Sequence, residues 1–169
     1  NHILKKEGNI LILIGKTFGH LYQSILFEEI YSLKDGPPPE INLSNEKNNG
    51  EMVLSLIENK LINSAHDVST GGLILALAEM SMSSTYGLRI EKPKKLSNLI
   101  EYLFGEDQGR YLIEINSDNL ERVKNILKKN NIFNEVAATV QKEYFEIPGE
   151  LKLNIKDLYK INNNWYNNY

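Results

Sequence analysis

The sequence predicts a layered α/β domain in which helices cover a mixed sheet, and three observations predict it. Runs of strand length alternate with segments of helical period through most of the chain. Ile10 to Ile14, entered from Asn9 and ended by Gly15, is apolar without interruption, as in a strand buried on both faces. Leu73 to Met82 is apolar or small on most sides, as in a helix wrapped by protein.

The elements follow in order. After the Asn9–Ile14 strand, Tyr22 to Leu33 has the spacing of an amphipathic helix with Ile25, Leu26, Ile30 and Leu33 on its buried side. Asp35-Gly36-Pro37-Pro38-Pro39 must end it, because consecutive prolines fix φ and supply no amide donors. The proline run is read as a rigid connection, with an extended partner ligand as the alternative. Ser44 is placed to cap the next helix, whose Met52, Val53, Leu56, Ile57 and Leu61 form one stripe. A short strand from Ile62 closes on His66-Asp67-Val68, Ser69 to Gly72 turns, and the apolar helix follows. Gly87 to Glu91 alternates as a strand and Pro93 closes it; Leu96, Leu99, Ile100, Leu103 and Phe104 suggest a short helix. Arg110 to Ile115 is a strand, and Ser117 and Asp118 cap and charge a helix running to Asn130. Val136 to Gln141, Tyr144 to Ile147 and Leu151 to Ile155 are three further strands. The tail from Asp157 is polar and aromatic, with Trp165, Tyr166 and Tyr169 expected to pack on a neighbouring surface rather than on a base.

Composition excludes several classes. With 41% hydrophobic and 24% charged residues the chain is neither disordered nor fibrous, and a formal charge of -3 leaves no electrostatic footprint for nucleic acid or an anionic membrane. No cysteine is present among the 169 residues, which removes disulfides, thiolate metal sites and cysteine nucleophiles and suits a cytoplasmic protein. No apolar run reaches membrane-spanning length. One domain is expected over 1–169, with residues 1–15 as linker and first strand; the opening at Asn1 suits a fragment of a longer chain.

Two stretches carry chemistry. At the start of the apolar helix, the Ser69 and Thr70 hydroxyls can cap the first turn, Gly71 and Gly72 admit a close backbone or ligand, and the free amides favour an anion. The alternative is a capped turn with no ligand, and His66 reads equally as a structural hydrogen-bonded residue. Phe104-Gly105-Glu106-Asp107-Gln108-Gly109-Arg110 presents two carboxylates, an amide and a guanidinium between glycines, a set that satisfies ligand hydroxyls and phosphates or simply makes a charged turn. Gly15-Lys16-Thr17-Phe18-Gly19-His20 lacks the spacing of a Walker loop.

These stretches also carry a resemblance. His66-Asp67-Val68-Ser69-Thr70-Gly71-Gly72-Leu73, continued by Ala76-Leu77-Ala78-Glu79-Met80, closely resembles the HDVSDGGL...ALAEM segment of the phosphoribosylformylglycinamidine synthase (FGAM synthase) family, with Thr70 in place of the usual Asp. Gly15, Thr17, Gly19, Leu21, Gln23 and Ser24 match GETxGxLGQS, where Tyr22 replaces a glycine. Gly36 to Leu43 is similar to the family's proline linker, and Phe104 to Arg110 to its FGE(S/D)Q(G/E)R loop. The likeness runs from about Gly8 to the final tyrosines and corresponds to the C-terminal domain of the second half of the small-type synthetase subunit, within the aminoimidazole ribonucleotide synthetase C-terminal-domain family.

The resemblance implies an α/β domain like the aminoimidazole ribonucleotide synthetase C-terminal domain, part of an ATP-dependent carbon–nitrogen ligase of purine biosynthesis. ATP activates the amide of formylglycinamide ribonucleotide, and ammonia from a glutaminase subunit displaces phosphate; Mg²⁺ and a small bridging subunit take part. The N-terminal halves that carry the family's catalytic histidine and main magnesium carboxylates have no counterpart here, so no catalytic residue is assigned and the isolated chain is expected to be inactive. His66, Asp67, Ser69, Thr70, Gly71, Gly72, Glu106, Asp107, Gln108 and Arg110 are the implied nucleotide or substrate contacts, with Asp67 the candidate metal ligand. A non-catalytic half that stabilises the enzyme and docks partner subunits is the alternative, and a thiamine phosphate kinase-like relative a third reading.

Overall fold

A computed structural model describes residues 1–93 and 98–167, and side chains to residue 165. Seven strands form one sheet: β1 (Ile10–Ile14), β2 (Ser64–Val68), β3 (Gly87–Ile90), β4 (Arg110–Ile115), β5 (Asn134–Gln141), β6 (Tyr144–Ile147) and β7 (Leu151–Asn154), in the spatial order β2-β4-β1-β5-β3-β6-β7. Every neighbouring pair is antiparallel except β3 with β6, so the sheet is mixed as expected.

Alternation along β1 decides the layering. Leu11 and Leu13 face one core with the buried side chains of α2 (Gly72–Met82), α3 (Leu99–Phe104) and the start of α5 (Ile155–Asn167). Ile12 and Ile14 face a second core with Val53 and Leu56 of α1 (Leu43–Glu58) and Val123 and Leu127 of α4 (Leu120–Lys129). Because both faces are covered, β1 is apolar throughout, which is the property that identified it. α2 is buried on most sides, with Leu73, Leu77 and Met80 fully enclosed.

The structure departs from expectation in four places. Tyr22 to Leu33 is no amphipathic helix: only Leu26–Ile30 forms a single π-helical turn, Gln23 and Ser32 carry positive φ on either side, and Ile25, Ile30 and Leu33 are exposed. The stripe has no face of this domain to pack on, and a short helix is marginal without one. Asn42, not Ser44, caps α1, its side chain accepting the Asn45 N–H at 2.9 Å. Ser117–Asn119 is a separate 3-10 turn before α4, and Ile155 begins α5, which runs through the tail left without an element. Leu96 and Tyr169, named above, lie outside the described residues, as does the side chain of Tyr166; Trp165 sits on α5 at 65% exposure. Among the described residues no helix is long and apolar enough to cross a membrane.

A buried carboxylate ties the N-terminal segment to the sheet. Glu114 of β4 is fully enclosed and accepts from the Lys5 amide (2.9 Å), Asn9 Nδ2 (2.7 Å) and Ser64 Oγ (2.8 Å). Removing the acceptor strands buried donors, which is more costly than losing the bonds alone. Glu114→Ala is therefore expected to lower the unfolding free energy by about 3 kcal/mol, and Glu114→Gln, which keeps one acceptor, by roughly half as much; urea titration of both variants checks the order.

Candidate functional site

The site is built where β2 hands the chain to α2. Gly71 sits at φ 79° as the N-cap, a left-handed conformation that side chains with a Cβ resist. A Cβ on Gly72 would lie 2.7 Å from the Gly105 carbonyl oxygen, so this glycine lets the backbone leaving α3 cross the start of α2. Ser69 and Thr70 do not cap with their hydroxyls, contrary to the sequence reading. The Gly71 N–H donates instead to Glu106 Oε1 at 2.8 Å, and the Gly72 N–H to the Ser69 carbonyl at 3.0 Å. The chain thus brings its own anion to the positive end of the buried helix.

The loop from Gly105 to Arg110 is held by its charges. The same Glu106 Oε1 accepts the Ile25 N–H at 2.9 Å, joining the β2–α2 turn to the segment after β1. Asp107, 5% exposed, accepts the Phe18 and Gly19 amides at 2.9 and 3.0 Å through Oδ2 and the His20 amide at 3.3 Å through Oδ1. Three successive amides around one carboxylate make a backbone nest. Arg110 is 1% exposed; its Nε donates to the Asp107 carbonyl at 3.1 Å, Nη1 to Thr17 Oγ1 at 3.0 Å, and Nη2 to the Gly105 carbonyl. Burial pushes the guanidinium pKa down, and Asp107, 3.8 Å away, opposes that shift. Gln108 alone of this loop's polar side chains faces solvent, beside Lys16, Asn45 and Glu46, around a recess of about 200 Å³.

His66 and Asp67 lie elsewhere. His66 Nε2 is 3.0 Å from Glu79 Oε2 of α2, and its Nδ1 is 2.6 Å from the Asp67 carbonyl oxygen. Asp67 projects outward, and the two line a shallow pocket of about 280 Å³ with His2 and Tyr111, apart from the Gln108 recess. The structure therefore joins Gly71 and Gly72 to Glu106, and Asp107 and Arg110 to residues 17–20, while His66, Asp67, Ser69 and Thr70 stay outside both groups. Among the described residues no group of three or more His, Asp or Glu side chains is placed to hold a metal. Asp67 belongs to no such group, so the described residues do not by themselves fit a magnesium site.

Sequence reasoning passed over Lys16, Tyr102 and Glu135. Lys16 reads in the sequence only as part of a loop that lacks Walker spacing. Tyr102 and Glu135 carry no local motif; they meet because β5 and α3 share one face of the sheet. Burial pushes the Glu135 carboxyl above the ordinary carboxylate range, with Tyr102 and Arg110 opposing the shift.

These features define a three-layer α/β domain of the aminoimidazole ribonucleotide synthetase C-terminal type, with a glycine-opened core helix met by an acidic loop. Residues 6–148 match the family described as AIR synthase related protein, C-terminal domain, and the chain belongs to that family. It is 50% identical over 166 residues to the phosphoribosylformylglycinamidine synthase subunit PurL of Pelagibacter ubique, a match that covers 98% of this chain and 23% of the relative. The chain thus spans less than a quarter of that relative's length. Its fold is similar to T. maritima PurL complexed with FGAR (TM-score 0.79, 20% identity, 93% of this chain and 29% of the other) and complexed with ATP (TM-score 0.70, 17% identity, 93% and 26%).

Three variants test the construction. Arg110→Met removes the cation beside buried Asp107, leaving that carboxylate to its three amides alone, and is expected to cost about 3–5 kcal/mol in denaturant unfolding. Glu106→Ala strands the Gly71 and Ile25 amides and is expected to cost about 2 kcal/mol, with Glu106→Gln milder because it keeps an oxygen acceptor. Glu135 gives the opposite sign. A carboxyl whose folded pKa is raised contributes stability below its unfolded value that is lost as pH rises through the folded value. Glu135→Gln should therefore melt higher than the parent at neutral pH, and the two should converge near about pH 3.

Proposed function

We propose that this chain is the C-terminal α/β domain of an FGAM synthase. In that enzyme formylglycinamide ribonucleotide, ATP and glutamine-derived ammonia become formylglycinamidine ribonucleotide, ADP and phosphate. The reading is supported by 50% identity along nearly the whole chain to a PurL subunit and by the likeness of the fold to PurL structures complexed with FGAR and with ATP. On this reading the domain works in a longer chain, in the cytoplasm, beside glutaminase and bridging subunits, with ATP and Mg²⁺ used by the whole enzyme.

The observation that carries the domain's own role is the pair of hydrogen bonds at Glu106, whose Oε1 accepts from the amides of both Gly71 and Ile25. It locks three motif segments into one rigid wall. Asp107 and Arg110 stiffen that wall from within, and Gln108 and Lys16 remain as the polar groups that meet a nucleotide or ribonucleotide. The first helical amides are already filled by Glu106, so an incoming phosphate reaches them only by displacing it. A second reading, a stabilising half with an inactive pocket, is favoured by the same internal use of Glu106, Asp107 and Arg110.

Calorimetric titration of the chain with ATP, ADP and formylglycinamide ribonucleotide separates the two. Binding of at least one, weakened about tenfold by Gln108→Ala or Lys16→Ala, supports the wall. Silence with all three, in this chain and in one of the relatives' length carrying an inactivated first half, supports the stabilising role. The chain alone is expected to form no product; synthase turnover by it would place catalysis here after all.

A further inference from the structure

Beside Gln108 the recess is lined by a buried carboxamide. Asn49 of α1 is 8% exposed, and its Nδ2 donates to the Gly109 carbonyl at 2.9 Å. A carbonyl takes only the NH2 end of an amide, so this bond fixes which way the carboxamide points. Among the described residues no donor reaches Asn49 Oδ1, and the atom is not sealed in the interior, so it opens into the recess that the side chain lines. The Gln108 turn itself rests on α1. A Cβ on Gly109 would lie 3.2 Å from the Cα of Glu46, three residues before Asn49.

The groups left around the recess, once the protein's own bonds are made, are mostly acceptors. Asp107 spends its carboxylate on the amides of residues 18–20, and Asn42 Oδ1 takes the Asn45 N–H, so the start of α1 is already capped. Glu40 and Glu46 line the recess too, and neither is in an ion pair among the described residues. Asn49 Oδ1 and two carboxylates, which accept and do not donate when ionised, therefore border one small space. Lys16 is the only cation lining it among the described residues, and it has no acidic partner there.

A ligand that fits this set brings several donors on one edge and an anion at another. Vicinal hydroxyls of a pentose meet the first need, because each O–H can donate to a carboxylate or amide oxygen, as ribose does to an acidic residue in dinucleotide-binding folds. A phosphate meets the second, since lysine serves it as a point charge. Size points the same way. At about 200 Å³ the recess is smaller than the roughly 300–1,000 Å³ of sites that enclose a whole small ligand, so it takes a sugar and leaves a base outside. An organic cation would suit the carboxylates but would meet Lys16 with like charge.

We infer that the recess is a pentose phosphate subsite, with sugar hydroxyls on Asn49 Oδ1 and the Glu46 carboxylate and the phosphate on Lys16. The inference rests on the nucleotide or ribonucleotide reading of Gln108 and Lys16, and it narrows that reading to the ribose phosphate end of the ligand.

Ribose 5-phosphate is the probe, followed by amide chemical shifts of the isotope-labelled chain, with 2-deoxyribose 5-phosphate, inorganic phosphate and putrescine for comparison. Ribose 5-phosphate should shift the resonances of residues 15–16, 45–49 and 108–109 with a dissociation constant on the order of 1 mM. Removing the 2-hydroxyl, Glu46→Ala and Lys16→Ala should each weaken it about tenfold. Neither side chain is in an ion pair, so both variants are expected to melt with the parent, and lost binding is then not lost fold. Equal affinity for the deoxy sugar or for phosphate alone, or tighter binding of putrescine, would overturn the subsite. Formylglycinamide ribonucleotide binding that needs Gln108 but leaves residues 45–49 unshifted would overturn it while the proposed function stands. Ribose 5-phosphate binding in the expected pattern, with neither ATP nor formylglycinamide ribonucleotide binding more tightly, supports the subsite and counts against that function. Silence with every ligand removes both.

Discussion

Arg110 carries a charge into a place that water does not reach, and the loops around it are arranged by how that charge is met. Its guanidinium takes the Gly105 and Asp107 carbonyls and the Thr17 hydroxyl, with the Asp107 carboxylate close by. Asp107 in turn gathers the amides of residues 18–20, so one buried pair shapes two loops distant in sequence. A lone buried ion is very costly, but a paired one whose remaining donors are satisfied acts as a rigid joint. Because Arg110 opens β4 and Thr17 follows β1, that joint is anchored on neighbouring strands of the sheet.

The second dependency is steric. Gly72 lies under the backbone leaving α3, and only the absence of a side chain lets Glu106 reach the Gly71 amide. A feature that reads in sequence as an opening for a ligand phosphate serves here as the seat for a carboxylate of the same chain. The physics is the same, since an N-terminal helix end favours negative charge whoever supplies it. What changes is which polar groups remain for a ligand: Gln108 and Lys16, around the small recess beside the Thr17–Gly19 loop.

Much of the architecture was legible from side-chain pattern. The unbroken apolar run of β1 meant cover on both faces, and α1 and α4 on one side with α2, α3 and α5 on the other provide it. β4 and the all-round burial of α2 were equally readable, as were the two motif loops. The segment from Tyr22 to Leu33 misled because its apolar spacing is real but its partner surface is not in this domain, so Ile30 and Leu33 stay exposed and the helix reduces to one turn. α5 was missed because asparagines dilute its period, although Ile155 and Leu158 still find the core.

The sequence by itself determined the strand and helix alternation, the two-sided burial of β1, and the presence of glycine and acidic motifs, because these depend on residues near one another in the chain. Only the tertiary structure decided that Glu106 fills the amides of α2, that His66 turns to Glu79 instead of the acidic loop, and that Tyr102 and Glu135 share a cavity. Those outcomes depend on strand order and on which face each side chain takes, and a polar group's role is settled by whatever the fold brings within about 3 Å of it.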